Sequence, residues 1–304
     1  MNTALILANP AGNITAFVLD GARYNVCGRR ELAASIMRKG VLKPGWQPVE
    51  QVGFVYKPDE PPGGEAPEVR RGLWHLEMAG GEFCGNAARS FGLLAAAIEG
   101  INNGLVKISV SGAAKPIDVQ VDIGQRLIMP QNSSGNMPPL PLEGKASAAC
   151  PPPERRAIVR YANTDYALYF FPGIAHLIAP ELAPTSDTFF ALKTACESLY
   201  GEQPAFGVMF TKYSFVTPAV YVREPETFVF ESSCGSGSAA FACHLLETKK
   251  NIETEIAVQQ PGGIIEVAIT KQNGLVTSLR IGGMVQLETA GYSRRRPFSA
   301  IMCP

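Results

Sequence analysis

A repeat constrains this chain more than any other feature. Cys84-Gly85 recurs half a chain later as Cys234-Gly235. At the same offset Phe91 falls on Phe241, Ile108 on Val258 and Gly112 on Gly262. Each Cys-Gly opens a segment of helical composition, Ala87 to Ile98 and Ser238 to Leu246. Each segment leads into a strand pattern, Leu105–Val110 and Thr254–Gln259, and then a glycine turn. A second strand follows with strict alternation: Ile117, Val119, Val121 in one half and Ile265, Val267, Ile269 in the other. One motif, one helix and one hairpin, in the same order twice, indicate duplication.

The two helices are apolar almost all round, which places them inside a domain and not on its surface. The flanking strands alternate and join through short glycine turns, which favours antiparallel pairing. The expected fold class is α+β, with two pseudo-symmetric domains. Each is a curved, mainly antiparallel sheet wrapped around a buried central helix.

Two stretches read as loops. Residues 58–68 carry prolines and glycines throughout, and residues 130–153 hold seven prolines. The first cannot form a helix or an inner strand. The second lies mid-chain and divides it: an N-terminal domain over 1–130, with residues 285–304 returning to it, and a C-terminal domain over 131–284. The active site is expected in the cleft between them.

Composition narrows the function. Lys plus Arg is 27 and Asp plus Glu is 27, so no net charge draws the chain to nucleic acid or to an anionic membrane. The short basic run Arg294-Arg295-Arg296 reads as a solvated tail. No apolar run approaches the length of a membrane span. The N-terminal apolar stretch ends at Asn9-Pro10, too soon for a signal-peptide core. The expectation is a cytoplasmic protein with its thiols mostly reduced and a small molecule as its partner. A homodimer is allowed. The seven cysteines include no C-x-x-C pair and no His at ligand spacing, so no metal site is expected.

Chemistry concentrates at the repeated motif. In Glu82-Phe83-Cys84-Gly85-Asn86 and Ser233-Cys234-Gly235-Ser236-Gly237 a thiol stands at a helix entrance. Asn86 and Ser236 read as N-caps. The N–H groups and the positive end of the dipole are expected to lower both thiol pKa values. The same N–H groups suit a carboxylate. Two such thiols fit one chemistry: one, as thiolate, takes a proton from a carbon acid, and the other, as thiol, returns a proton to the opposite face. A cysteine hydrolase needs a histidine base and has no use for a second cysteine. The histidines, His75, His176 and His244, have no partner visible in the sequence and read as structural. Arg89, on the first buried helix, reads as a structural ion-pair partner.

The paired motifs resemble the diaminopimelate epimerase superfamily of amino acid racemases and epimerases that work without pyridoxal phosphate. Cys84-Gly85-Asn86 and Cys234-Gly235-Ser236-Gly237 are similar to its two cysteine motifs, Gly12-Asn13 to its N-terminal motif and Glu50-Gln51-Val52 to a third. The chain departs from true diaminopimelate epimerases. Phe228-Val229-Phe230-Glu231-Ser232-Ser233 lacks the arginine that precedes their second cysteine, and Met78-Ala79-Gly80-Gly81 replaces their Asn-Ala-Asp-Gly. These departures, with Asn9–Thr15, Glu50–Phe54 and Gln260-Pro261-Gly262-Gly263, resemble the histidine racemases of staphylopine-type metallophore biosynthesis.

That resemblance implies a diaminopimelate epimerase-like fold and a histidine racemase that needs no cofactor. Cys84 and Cys234 are then the acid–base pair. Gly85, Asn86, Gly235 and Ser236 hold the α-carboxylate through backbone N–H groups, Asn13 and Gln51 contact polar groups of the substrate, and Glu50 accepts a hydrogen bond from the imidazole. The competing readings are a racemase or epimerase of another amino acid, diaminopimelate included, a pyridoxal-phosphate racemase, and a non-catalytic amino-acid-binding or redox-sensing relative.

Overall fold

The structure, a computed structural model, describes residues 2–40, 42–58, 72–124, 140–201, 203–223 and 226–293. Most of the loop expected over 58–68, the first part of the proline-rich stretch and Arg294-Arg295-Arg296 lie outside them. In chain order the elements begin with β1 (Asn2–Asn9), β2 (Ile14–Val18), α1 (Val26–Lys39), β3 (Val49–Tyr56) and β4 (His75–Met78). Then come α2 (Gly85–Glu99), β5 (Asn103–Val110), β6 (Ile117–Asp122) and β7 (Leu142–Ala149). The second half supplies β8 (Arg155–Tyr161), β9 (Thr164–Phe171), β10 (Ile174–Pro180), α3 (Ser186–Tyr200), β11 (Ala205–Lys212), β12 (Phe215–Val222) and β13 (Thr227–Phe230). It continues with α4 (Gly235–Leu245), β14 (Ile252–Gln260), β15 (Gly263–Gln272) and β16 (Leu275–Gly282), and the chain then enters β17 (Met284–Ser293).

Contacts divide the chain into one unit of residues 1–148 and 284–304 and another of residues 149–283. The division falls after Ala148, not at 130, because β7 pairs with β6 and β17 and so stays with the first unit.

In the first unit the strands close on themselves. β17 pairs with β1, β1 with β2, β3 with β4, β5 with β6, β6 with β7 and β7 with β17, all antiparallel. Parallel pairs β2–β3 and β4–β5 complete the ring. A sheet closed this way is a barrel and leaves no edge. Its strands bury both faces. Leu5, Leu7, Ala16 and Val18 pack with Leu32, Ala33 and Ile36 of α1 in one core. Phe17, between Ala16 and Val18, points the other way and meets Phe91 of α2 edge-on at 5.9 Å.

α2 is buried from Gly85 to Ala97 and touches β1, β5, β6 and β17. Its sequence explains this. Small residues dominate, and Gly92 lies where a Cβ would come within 2.5 Å of Val119 on β6. Gly100, in the left-handed region at φ 73°, ends the helix by donating to the carbonyls of Ala96 and Ala97. Arg89 is fully buried; its Nε donates to Asn86 Oδ1 at 3.3 Å and its guanidinium to the Met284 carbonyl on β17 at 3.4 Å. It ties helix to barrel, as a charge at such depth must be tied.

In the second unit β8–β9, β9–β10, β11–β12, β12–β13, β14–β15 and β15–β16 are antiparallel, and β10–β11 and β12–β14 parallel. α3 lays Phe189, Leu192, Cys196 and Tyr200 on Leu168, Leu177, Val208 and Phe210. α4 touches β9, β10, β11, β15 and β16. No helix among the described residues is long and apolar enough to cross a membrane.

Candidate active site

Both cysteines of the repeat occupy the same local position. Cys84 is the N-cap of α2 at φ −122°, ψ 115°, and Cys234 the N-cap of α4 at φ −128°, ψ 115°. The expected caps, Asn86 and Ser236, stand inside the first turn instead. The Cys84 sulfur does the capping, accepting the Ala87 N–H at 3.4 Å. The Cys234 sulfur, at the equivalent place, makes no capping hydrogen bond. The first turn of a helix has N–H groups with no intrahelical carbonyl to meet them. At Gly85 and Asn86, and again at Gly235 and Ser236, these groups flank a thiol.

In the first unit, Gln51 accepts a hydrogen bond from the Cys84 thiol, Sγ to Oε1 2.9 Å. Its neighbour Glu50 accepts one from Asn13 Nδ2 at 2.6 Å. A register shift makes this possible. β2 and β3 pair Ile14 with Val49 but Thr15 with Gln51, so Glu50 has no Cα partner on β2. Such an irregularity re-aims side chains beside active sites. Asn13 is 1% exposed, and its Oδ1 is buried with no partner. Asn13, Glu50, Gln51 and Cys84 thus meet at one place, through two hydrogen bonds. Gly85 and Asn86 begin the helix beside them, both buried; the Asn86 side chain serves Arg89.

In the second unit a clamp holds the Cys234 peptide. Gln260 accepts the Cys234 N–H at 2.8 Å and donates to Ser238 Oγ at 2.7 Å, and Ser238 Oγ donates to the Cys234 carbonyl at 2.7 Å. Burial pushes the Cys234 thiol well up from its ordinary pKa. The Glu231 carboxyl side chain adds to this, while the Gly237 N–H and the Ser236 hydroxyl oppose it. The expectation that the helix entrance lowers this pKa is therefore corrected: the thiol is 7% exposed, and lost hydration outweighs the dipole. Cys150, Cys196 and Cys243 are free and buried, with burial pushing them up to about 12, 12 and 11. They are inert core thiols.

Two histidines are structural. His75 is buried with Ser109 Oγ at 3.0 Å and Glu77 at 3.1 Å, and His244 meets Tyr169 at 3.4 Å at the far end of α4. His176 is different. It lies on β10, fully buried, with Nε2 2.8 Å from Ser236 Oγ. Burial holds its pKa down at about 3, so it is neutral. Sequence reading missed His176, Gln260 and Glu231 as parts of the site; His176 and Gln260 are remote in sequence and only folding brings them to Cys234, whereas Glu231 stands three residues before it.

A neutral buried histidine makes stability depend on pH. The unfolded chain binds a proton near the ordinary histidine pKa of 6.5, whereas the folded chain binds one only near 3. Stability is then present above 6.5 and is lost as pH falls through the window between these values, by up to about 1.4 kcal/mol per unit. Urea unfolding at pH 7 and pH 5 is expected to show a loss of about 2 kcal/mol from this residue, and the loss should shrink by that amount in His176→Gln. An equal loss in both proteins would contradict the assignment.

The described residues hold no group of three His, Cys, Asp or Glu side chains arranged for a metal ion. Each unit presents a thiol at the N-terminus of a buried helix, where the first N–H groups have no intrahelical carbonyl to meet them.

The chain is similar to several known proteins. A histidine racemase of Fusobacterium nucleatum is 29% identical over 295 residues, covering 94% of this chain and 95% of the relative. A histidine racemase of Staphylococcus aureus is 24% identical over 302 residues, covering 93% and 94%. A hydroxyproline epimerase from Agrobacterium vitis superposes with a TM-score of 0.54 at 11% identity, covering 97% of this chain and 94% of the other. A phenazine biosynthesis protein of the PhzF family from Enterococcus faecalis gives a TM-score of 0.53 at 11% identity, covering 97% and 100%. These two structures show the fold: a mixed α/β architecture with few helices and a barrel-forming sheet. The family described as the histidine racemase CntK N-terminal domain matches residues 3–293. The chain belongs to that family and is an amino acid racemase.

Proposed function

We propose that this racemase interconverts L- and D-histidine without a cofactor, using Cys84 and Cys234 as two bases on one Cα. The observation that carries the reading is that both thiols stand at the N-cap of a buried helix with nearly the same backbone angles. The two units read as two copies of one design. Each runs through the same succession of antiparallel and parallel pairs, with one helix buried against the strands and a second packed on the other face. The relatives named histidine racemase support the substrate.

The mechanism follows from the parts. One cysteine, as thiolate, removes the Cα proton and becomes a thiol. The electron pair left on Cα spreads into the carboxylate, where the N–H groups of Gly85, Asn86, Gly235 and Ser236 meet the growing charge. Fixed donors aimed at developing charge are commonly the largest catalytic contribution. The other cysteine, as thiol, gives its proton to the opposite face and becomes the thiolate. A reverse turnover exchanges the roles. Burial keeps Cys234 a thiol at rest, so it starts as the acid. Glu50, held by Asn13, accepts the imidazole N–H, and Gln51 orients the Cys84 sulfur. The resemblance to the staphylopine-type enzymes makes D-histidine a building block for an opine-type metallophore.

The test is a substrate panel. kcat/KM is expected to be highest for histidine among histidine, diaminopimelate, proline and several apolar amino acids, with no pyridoxal phosphate added. Preference for diaminopimelate or proline would overturn the substrate.

A further inference from the structure

His176 and Ser236 together form a chain that ends on a reactive sulfur. His176 Nε2 lies 2.8 Å from Ser236 Oγ, and Ser236 Oγ lies 3.7 Å from Cys234 Sγ, within hydrogen-bond range for sulfur. All three belong to one unit and come from two elements: His176 on β10, Ser236 in the first turn of α4 and Cys234 at its cap.

The other ring nitrogen decides the direction of this chain. His176 Nδ1 is buried with no hydrogen-bond partner, and a Cβ at Gly207 would come within 2.4 Å of it. The packing around that nitrogen is therefore closed. A proton there would be a buried donor with nothing to receive it. A bare lone pair leaves no unmet donor. The proton therefore belongs on Nε2, from which it points at Ser236. Ser236 Oγ, having accepted from the ring, turns its own hydrogen outward, and the sulfur is the acceptor in reach.

We propose that His176 is a positioning residue for racemisation: its Nε2–H fixes the Ser236 hydroxyl as a donor to the Cys234 thiolate. Ser236 then has two duties, its backbone N–H toward the substrate carboxylate and its side chain toward the sulfur. Two side chains with opposite effects face Cys234. The Glu231 carboxyl group favours the thiol and the Ser236 hydroxyl favours the thiolate. A base that must both hold and release a proton in alternate turnovers needs both. The chain ends on His176, which is neutral throughout the working pH range and so transmits orientation without adding a charge.

The proposal builds on the two-cysteine reading, but its test needs no substrate. Cys84 and Cys234 are labelled with iodoacetamide over a range of pH, and each is followed by peptide mapping. The midpoint for Cys234 is expected to rise by about one to two pH units in Ser236→Ala and in His176→Asn, whose shorter amide cannot reach Ser236. His176→Gln, whose amide nitrogen reaches the place of Nε2, is expected to restore most of the shift. His176→Asn should add nothing in the Ser236→Ala background, because the chain is already cut. The Cys84 midpoint should not move in any of them. A Cys234 midpoint unchanged in Ser236→Ala, or shifted equally by His176→Asn and His176→Gln, would overturn the proposal. Nitrogen-15 shifts of the ring in the wild-type protein supply a check free of mutation: protonated Nε2 with bare Nδ1 supports it, and protonated Nδ1 contradicts it. If instead Cys234→Ala still racemises histidine, the two-base reading falls while the labelling result stands on its own.

Discussion

Cys84→Ala and Cys234→Ala are each expected to lower kcat/KM for racemisation by at least about 10²–10⁴-fold, the range that a positioned acid or base contributes. Neither loss can be made good by the remaining thiol, because each cysteine serves one face of Cα. The double variant should be scarcely slower than either single one, since residues that act as a unit lose their effect together. The exchange of the α-hydrogen with solvent adds detail. An enzyme that keeps one base can still remove and return a proton on that base's face. Slow exchange without racemisation is therefore expected from whichever variant keeps the cysteine matched to the enantiomer supplied. Near-wild-type racemisation by either variant would end the two-base account. Both proteins should keep their stability. Cys84 is half-buried and Cys234, although buried, loses only a sulfur.

Glu50→Gln is expected to cut kcat/KM for L-histidine by about one to two orders of magnitude, the worth of one charge-assisted hydrogen bond. The geometry gives the reason. Asn13 Nδ2 holds Glu50 Oε2 at 2.6 Å, and Asn13 itself is buried, so the carboxylate is aimed rather than loose. Gln is nearly isosteric and keeps a carbonyl for Asn13, so the fold should change little while the charge toward the imidazole disappears. Turnover of apolar amino acids, slow to begin with, should be hardly affected. An unchanged kcat/KM for histidine would leave the substrate in place and remove Glu50 from its recognition.

Which parts of this could be read from the residues follows from how far each signal reaches along the chain. The repeat marked α2 and α4 because their small apolar runs have no polar face to offer a surface. It placed both thiols at helix entrances because the surrounding glycines and the helix are adjacent in sequence. It missed the caps. Asn86 and Ser236 are better capping residues on average, but both helices start two residues earlier, at Gly85 and Gly235, and in α2 the Cys84 sulfur takes the third N–H. The acidity of Cys234 differs from the sequence expectation for a related reason. The dipole is local and legible, whereas the burial that overrides it comes from the whole second unit. Gln51 and Glu50 were visible only through resemblance. The register shift opposite Ile14 and Thr15 that lets both reach the site depends on β2 and β3, which are distant in sequence. In the sequence His176 reads as a structural residue, because its contact with Ser236 crosses from β10 to α4. The proline-rich stretch gave a boundary too early, because the strand after it, β7, is held by β6 and β17 and not by its neighbours in sequence.

The central claim, proton transfer at Cα of histidine by two different groups, has one direct measurement. L-Histidine is incubated with the wild-type protein in D2O, without pyridoxal phosphate, and the early products are separated by enantiomer before their α-position is read by NMR or mass. With one base on each face, D-histidine formed in the first turnovers carries deuterium at Cα, while the remaining L-histidine still carries hydrogen. A single base that removes and returns the proton would instead pass the original hydrogen to the D-product or wash deuterium into both enantiomers alike. D-histidine that retains its hydrogen, or L-histidine that does not react at all, would contradict the account.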